Sequence, residues 1–250
     1  MNAKKLTGKV ALVTGGSGGI GAATARALAE DGADVAISYS ASAEKANAVV
    51  LELKGKGVHA AAFKADQADA AQVESLIKAV SERFGRLDIL VNNAGVFVTG
   101  AVDNPEANIT EFARQYAINV GGVIAAIRAA AKVMGEGGRI ISVGSGVATR
   151  AGFPGMAEYA ATKTAIVGYT KGAARDLASK NITVNVVQPG AVDTDMNPAN
   201  SDFAPALNST TALGRYGRPE EIAAAIAFLA SPGASYITGT TLDVDGGYNA

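Results

Sequence analysis

The chain predicts an α/β fold: one open, doubly wound parallel sheet of about seven strands with helices on both faces, built as a single domain over residues 1–250. Three observations carry that expectation. Short apolar runs alternate with longer helical patterns from one end to the other, which is how a parallel sheet with crossover helices reads. The first of those runs empties into a cluster of glycines that opens a helix. Hydrophobic residues make up 48% of the 250 positions, enough for one large core, and no internal repeat or low-complexity linker divides them.

Taken in order, Lys9–Val13 is the first strand, followed by the glycine loop Thr14–Gly21 and the helical pattern AATARALAEDGA. Ala33–Tyr39 is a second strand and Glu44–Lys54 its helix; residues 59–63 form a third strand and Ala71–Phe84 the helix after it. Leu87–Val91 is a buried fourth strand that runs into Asn92-Asn93-Ala94-Gly95, and a long alanine-rich helix covers roughly Ile109 to Met134. Asn119 lies amid the apolar residues of that helix, where its amide needs a partner that a bend or a bound water would supply. Arg139–Val143 is a fifth strand ending at Gly144-Ser145, Met156–Tyr169 a helix, and Thr183–Gln188 a sixth strand ending in Pro189-Gly190. From Asp195 to Arg215 prolines, asparagines and serines break any periodicity, so 195–215 is expected to be a lid. Pro219–Leu229 opens with a good helix start, and Thr241–Val244 is the last strand. Right-handed crossovers place every strand's C-terminal end at one rim, which would gather the glycine loop, Ser40, Asp66, Asn93, Ser145 and Pro189.

Composition narrows the function. With 22 Lys plus Arg against 23 Asp plus Glu, the net charge of -1 gives no general attraction to nucleic acid or an anionic membrane. No cysteine and one histidine exclude disulfides, thiolate chemistry and a histidine-based metal cluster. No stretch approaches the roughly 20 apolar residues of a membrane span, no signal peptide is expected, and a cytoplasmic location agrees weakly with the lack of disulfides.

The glycines of T-G-x-x-x-G-x-G, at Gly15, Gly19 and Gly21, let a pyrophosphate approach the backbone at a helix N-terminus, although a Gly-rich turn alone would read similarly. The second strand ends in Ser38-Tyr39-Ser40-Ala41-Ser42 without the carboxylate that would hold a ribose 2′-OH. Hydroxyls there, with Lys45 nearby, suit a 2′-phosphate, or serve simply as turn formers. Asp66 suits an adenine amino group or a turn cap, and Asn93 a ligand crevice or a tight turn. His59 is expected to be structural or exposed. Tyr159 and Lys163, four apart, share one helical face, so that an ammonium near the phenol would lower its pKa from about 10. Alone, such a pair is more often a solvated one.

Taken together, TGGSGGIG at 14–21, NNAG at 92–95, Asn119, Ser145, the YxxxK of Tyr159 to Lys163 and PGAVDT at 189–194 resemble the short-chain dehydrogenase/reductases over essentially the whole chain. Within that family the chain looks like the 3-oxoacyl-acyl-carrier-protein reductase branch, from its second strand and its closing segment GRPEEIAAAIAFLASPGASYITGTTLDVDGG. The resemblance implies a Rossmann-type fold and a hydride exchange between a nicotinamide and a small carbonyl or alcohol substrate. It implies Tyr159 as acid/base, Ser145 orienting the substrate oxygen, Lys163 on the nicotinamide ribose and Asn119 holding a relay water. It also implies a cofactor site of Gly15, Ser17, Gly19, Ile20, Gly21, Tyr39, Ser40, Ser42, Asp66, Gln67, Asn93, Ala94, Gly95, Tyr159, Lys163, Pro189, Gly190, Val192 and Thr194, with no metal. NADP(H) is preferred over NAD(H), although Gly18 stands where many NADP-preferring relatives carry a basic residue. A homotetramer is expected, with the Asn119 and Tyr159 helices against a partner subunit. The alternatives are an NAD-dependent alcohol or sugar dehydrogenase, and a non-catalytic nucleotide-binding protein on the same fold.

Overall fold

A computed structural model describes residues 4–250. Seven parallel strands, β1 (Val10–Val13), β2 (Asp34–Tyr39), β3 (Ala60–Lys64), β4 (Ile89–Asn92), β5 (Arg139–Val143), β6 (Thr183–Pro189) and β7 (Thr241–Val244), lie in the order β3-β2-β1-β4-β5-β6-β7. The chain moves outward from β1 to β3, returns to place β4 on β1's other side, and moves outward again. The crevice between β1 and β4 is therefore the switch point where a doubly wound sheet binds ligands.

Strand residues alternate between two buried layers. Ala11, Val13, Val35, Ile37, Ile89 and Val91 pack with Leu28 of α1 (Gly19–Glu30), Leu53 of α2 (Ala43–Gly55) and Ile222 and Ile226 of α8 (Pro219–Ala230). Leu12, Ala36, Leu90, Ile140 and Val184 face the other way, onto Val73 and Ile77 of α3 (Ala70–Phe84), Ile127 of α5 (Val123–Val133) and Ile166 of α6 (Ala157–Asp176). Covering both faces is what makes these strands apolar throughout instead of alternating.

Four expectations change. The helix of Tyr159 does not stop at Tyr169 but continues to Asp176, because Ile166, Thr170, Ala173 and Ala174 keep a buried face turned to the sheet. Inside 195–215 a short helix, α7 (Ala204–Ser209), begins with proline at its second position; six residues are too few to show a periodicity. The long helix is three pieces: α4 (Ile109–Tyr116), a π-helical turn at Ala117–Gly122, and α5. That continuous run, Ile109–Val133, is by length and composition apolar enough to cross a membrane, contrary to the expectation that no stretch is, and half of its most apolar window is buried inside the molecule. Its alanines supply the inner face, with Ala126 and Ala130 in the core beside Ile127.

Candidate active site

The rim of the sheet opens into a cleft of about 760 Å³. Every residue predicted for the site lines it except Asn119. The glycine loop is shaped by contact as much as by turn chemistry. Gly15 has φ +64°, and a Cβ on it would stand 3.0 Å from Ala94 Cα; a Cβ on Gly21 would collide with Gly15 O and press on Asn93 Nδ2. Side chains at either position would force the loop off Asn93 and Ala94; packed this closely, it lines the cleft at the first turn of α1, where backbone N–H groups suit a pyrophosphate. Thr14, which the sequence did not single out, braces this loop. Its Oγ1 accepts from the N–H groups of Asn93 and Ala94, both at 3.0 Å, while Asn93 Nδ2 donates to Thr14 O at 2.9 Å and Gly15 O at 3.2 Å.

At the tip of β2, Tyr39, Ser40 and Ser42 line the cleft. Lys45 does not: its ammonium pairs with Asp195 at 2.8 Å, from α2 across to the start of segment 195–215. An exposed lysine takes the nearest carboxylate, and here that is across the cleft mouth. Asp66 does cap a turn, accepting from Ala68 N at 2.9 Å, and it also accepts from Arg114 Nη2 at 3.1 and 3.2 Å. The Ala68 N–H and the Arg114 guanidinium hold its carboxyl below the usual range against some burial. Gln67 lines the cleft and is buried against Gly122 of the π turn, with its Nε2 enclosed there and unpartnered. His59 is exposed just ahead of β3, with Nδ1 3.2 Å from Asp34 Oδ2.

Tyr159 sits in the first turn of α6 and Lys163 one turn further on, with Nζ 5.6 Å from the phenol ring centre. Lys163 is buried and donates to Val143 O at 3.0 Å, at the end of β5. Ser145 follows at the start of the next loop, where its Oγ accepts only a long 3.4 Å bond from Val147 N and is free to donate toward the cleft. Burial pushes the Tyr159 phenol up to about 12, and the facing Ser145 hydroxyl pulls the other way. Burial also pushes Lys163 down to about 8. The simple expectation that the ammonium lowers the phenol's pKa therefore does not hold in the protein without ligand: Lys163 spends its charge on a carbonyl, and desolvation outweighs it. Tyr159 keeps an edge open to the cleft, so water or ligand there would relieve part of the upward push.

Asn119 lies behind the wall, held by the π turn. Its Oδ1 accepts from Val96 N at 2.9 Å, and its Nδ2 donates to Val96 O at 2.9 Å and to Thr162 Oγ1 at 3.2 Å. Gln115, four residues earlier, treats Val98 in the same way, accepting from its N–H at 2.7 Å and donating to its carbonyl at 3.3 Å. Four residues of helix rise about 6 Å and two of extended chain about 6.6 Å, so two amides on one helix match alternate residues of the loop beside it. A π turn, in place of the expected bend or bound water, accompanies Asn119, and its amide's partners are protein. Gln115, Thr14, Arg114 and Phe97, whose ring meets Tyr159 edge-on with centroids 4.8 Å apart, are site residues that sequence reading missed. Only Gln115 left a trace, as a second amide one turn before Asn119.

Residues 15–249 match the family described as Enoyl-(Acyl carrier protein) reductase. A short-chain dehydrogenase from Burkholderia cenocepacia J2315, solved in complex with NADP, is similar at TM-score 0.96 and 51% identity, over 98% of this chain and 100% of that one. The 3-oxoacyl-[acyl-carrier-protein] reductase FabG of Staphylococcus aureus is 46% identical over 96% of this chain and 97% of its own length. A cyclic-di-GMP-binding biofilm dispersal mediator protein of Escherichia coli is 42% identical over 98% of both. With a seven-stranded doubly wound sheet, a glycine cradle and a buried Tyr-Lys pair at one rim, the chain belongs to the short-chain dehydrogenase/reductase family of NAD(P)-dependent oxidoreductases.

Proposed function

We propose that the protein is an NADPH-dependent carbonyl reductase that converts a ketone or 3-oxoacyl group to the alcohol. The observation that carries this is the meeting of Tyr159, Ser145 and Lys163 in the same cleft as the glycine cradle. When bound, the nicotinamide supplies the hydride. The glycine loop would hold the pyrophosphate; Asn93 to Gly95 the adenosine-side ribose; Asp66 and Gln67 the adenine; Pro189, Gly190, Val192 and Thr194 the carboxamide. Tyr39, Ser40 and Ser42 would face the 2′-phosphate, since the strand ends without a carboxylate. The NADP held by the Burkholderia relative supports this choice.

As a hydride reaches the carbonyl carbon, negative charge grows on oxygen. Ser145 donates to that oxygen and orients it, and Tyr159, protonated throughout the neutral range, surrenders its proton to it. Lys163, ammonium below about pH 8, stabilises the phenolate left behind and reaches the ribose. Asn119 anchors Val96 against the Tyr159 helix through Thr162, and since its amide is taken up there, the relay water expected beside it would be met by its backbone. The segment 195–215 closes as a lid. A homotetramer forms through the outer faces of α4–α5 and α6; on α6 that face is Ala157, Ala161, Ala165, Gly168 and Gly172, small enough for close helix approach.

Loss of reduced-nicotinamide absorbance with NADPH and activated ketones or β-ketoesters tests the reading, and NADH in parallel tests the NAD-dependent alternative through kcat/KM. Equal rates for wild type and Tyr159→Phe would refute it. A second reading, a protein that works by binding a nucleotide, is favoured by the cyclic-di-GMP-binding relative. Calorimetric binding of cyclic-di-GMP with no turnover of any carbonyl would establish it.

A further inference from the structure

The cleft is lined on one part by the glycine loop and the tips of β2 and β3, and on another by the loops 96–104, 146–156 and 195–215. Of all the residues lining it, only Asp66, Arg114, Lys163 and Asp195 are acids, lysines or arginines. Asp66 and Arg114 pair with each other at the far end of the β3 rim. Lys163 is bound to Val143 O beneath Tyr159, and Asp195 is bound to Lys45 at the mouth. No acid, lysine or arginine therefore lines the other part, supplied by 97–99, 146–156 and 196–211, where Phe97, Phe153, Met156, Met196, Phe203 and Leu207 stand with the uncharged polar groups of Thr99, Asn197, Thr210 and Thr211. The segments around it add no unpaired cation: 96–104 carries Asp103 and no cation, and 195–215 carries Asp195, Asp202 and Arg215, whose guanidinium is held by Glu221 at 2.8 and 2.9 Å. In 146–156 the single cation, Arg150, donates to Tyr248 O at 2.9 Å and lies 5.3 Å over that tyrosine's ring.

A carboxylate or phosphate placed here would lose its water and gain no cation in return. An acidic carrier protein presenting a tethered acyl chain would meet acids at the rim. An uncharged hydrocarbon meets the reverse. Phe203 is 76% exposed at the start of α7, and Phe97, 42% exposed, stands edge-on to the phenol whose oxygen faces Ser145. Both are apolar surfaces open on the substrate side, and covering them with a ligand's carbon skeleton is favourable.

We propose that this part of the cleft selects an uncharged, apolar ketone free in solution, closed over by Phe97 and Phe203, and discriminates against carboxylate-bearing and carrier-tethered acyl substrates. This rests on the carbonyl-reductase reading, and narrows its ketone-or-acyl choice to the ketone. The reaction is unchanged: hydride adds to the carbonyl carbon and the Tyr159 proton to its oxygen.

The test compares matched pairs with NADPH-loaded wild type: an aryl 2-oxo methyl ester against its free acid, and ethyl acetoacetate against acetoacetyl-acyl-carrier protein. The neutral member of each pair should have the higher kcat/KM by at least about tenfold. Phe203→Arg, at a position exposed enough to accept the change, should narrow the ester-to-acid ratio by raising the acid. An acid or carrier-tethered substrate used as well as its neutral partner overturns the proposal. Calorimetry on the protein–NADPH complex with phenylacetamide and phenylacetate, neither reducible, separates the two readings. Amide binding at least about tenfold tighter than carboxylate, with no ketone reduced, would uphold this selectivity and sink the reductase; equal binding with active turnover would do the opposite.

Discussion

Around the glycine loop the cleft wall is made of backbone held by backbone: Thr14 gathers the N–H groups of two residues of the next strand's tip, Asn93 reaches back to two carbonyls, and a single added carbon at Gly21 has nowhere to go. The wall beyond Tyr159 is made largely of side chains on loops and short turns, with Phe203 and Met196 more than half exposed and a six-residue helix between 204 and 209. The first arrangement fixes one ligand shape and tolerates little change. The second leaves the chemistry of whatever binds to be set by a few replaceable side chains. A scaffold of this kind can keep its hydride chemistry while its substrate drifts.

That contrast can be broken or sharpened by experiment. Tyr159→Phe, at the boundary, should lower kcat for ketone reduction by about 10²–10⁴, with NADPH affinity measured by fluorescence unchanged; retained activity would remove the phenol from the mechanism. Gly21→Ala, on the rigid side, should destabilise the fold by about 1–3 kcal/mol in urea unfolding and weaken NADPH binding by at least about tenfold. Thr14→Ala should cost about 1–3 kcal/mol in the same unfolding assay, because two N–H groups near the buried strand tip lose their acceptor. For pH, Tyr159 at about 12 stays protonated through the working range while Lys163 loses its proton through about 8. The kcat/KM for reduction should therefore be level below about pH 7.5 and fall above it, and Lys163→Met should abolish that limb. The smallest effect belongs to the loose side: Asp195→Asn removes an exposed ion pair with Lys45 and should leave the thermal midpoint unchanged, any response appearing in substrate KM.

The same division governs what could be read from the chain before folding. β5 and β7 match their predicted bounds, and β1, β2 and β6 do so within a residue; for the inner strands burial on both faces favours an apolar run, while β7 lies half-buried at the sheet edge and carries the exposed Asp243. The glycine loop was legible because the chemistry it serves demands those residues at that spacing. Burial is a property of the assembled cleft, so the Tyr159–Lys163 spacing announced the pair without showing that desolvation dominates both. Arg114 on Asp66, Lys45 on Asp195 and Phe97 on Tyr159 join distant segments with no local pattern, and α7 is too short to have one. Asn119 was legible as a polar intruder, its role as a clamp only once Val96 and Val98 lay beside it.

The wide turn at Ala117–Gly122 sets the angular phase between Gln115 before it, Asn119 within it and the apolar stripe after it. Deleting any one residue there would let the wide turn relax to an ordinary one and swing everything downstream by about 100°. Val123, Ala126, Ile127 and Ala130 would then rotate away from the sheet while Gln115 stayed on Val98. Shortening this helix by a single position should consequently be far more damaging than most substitutions along it.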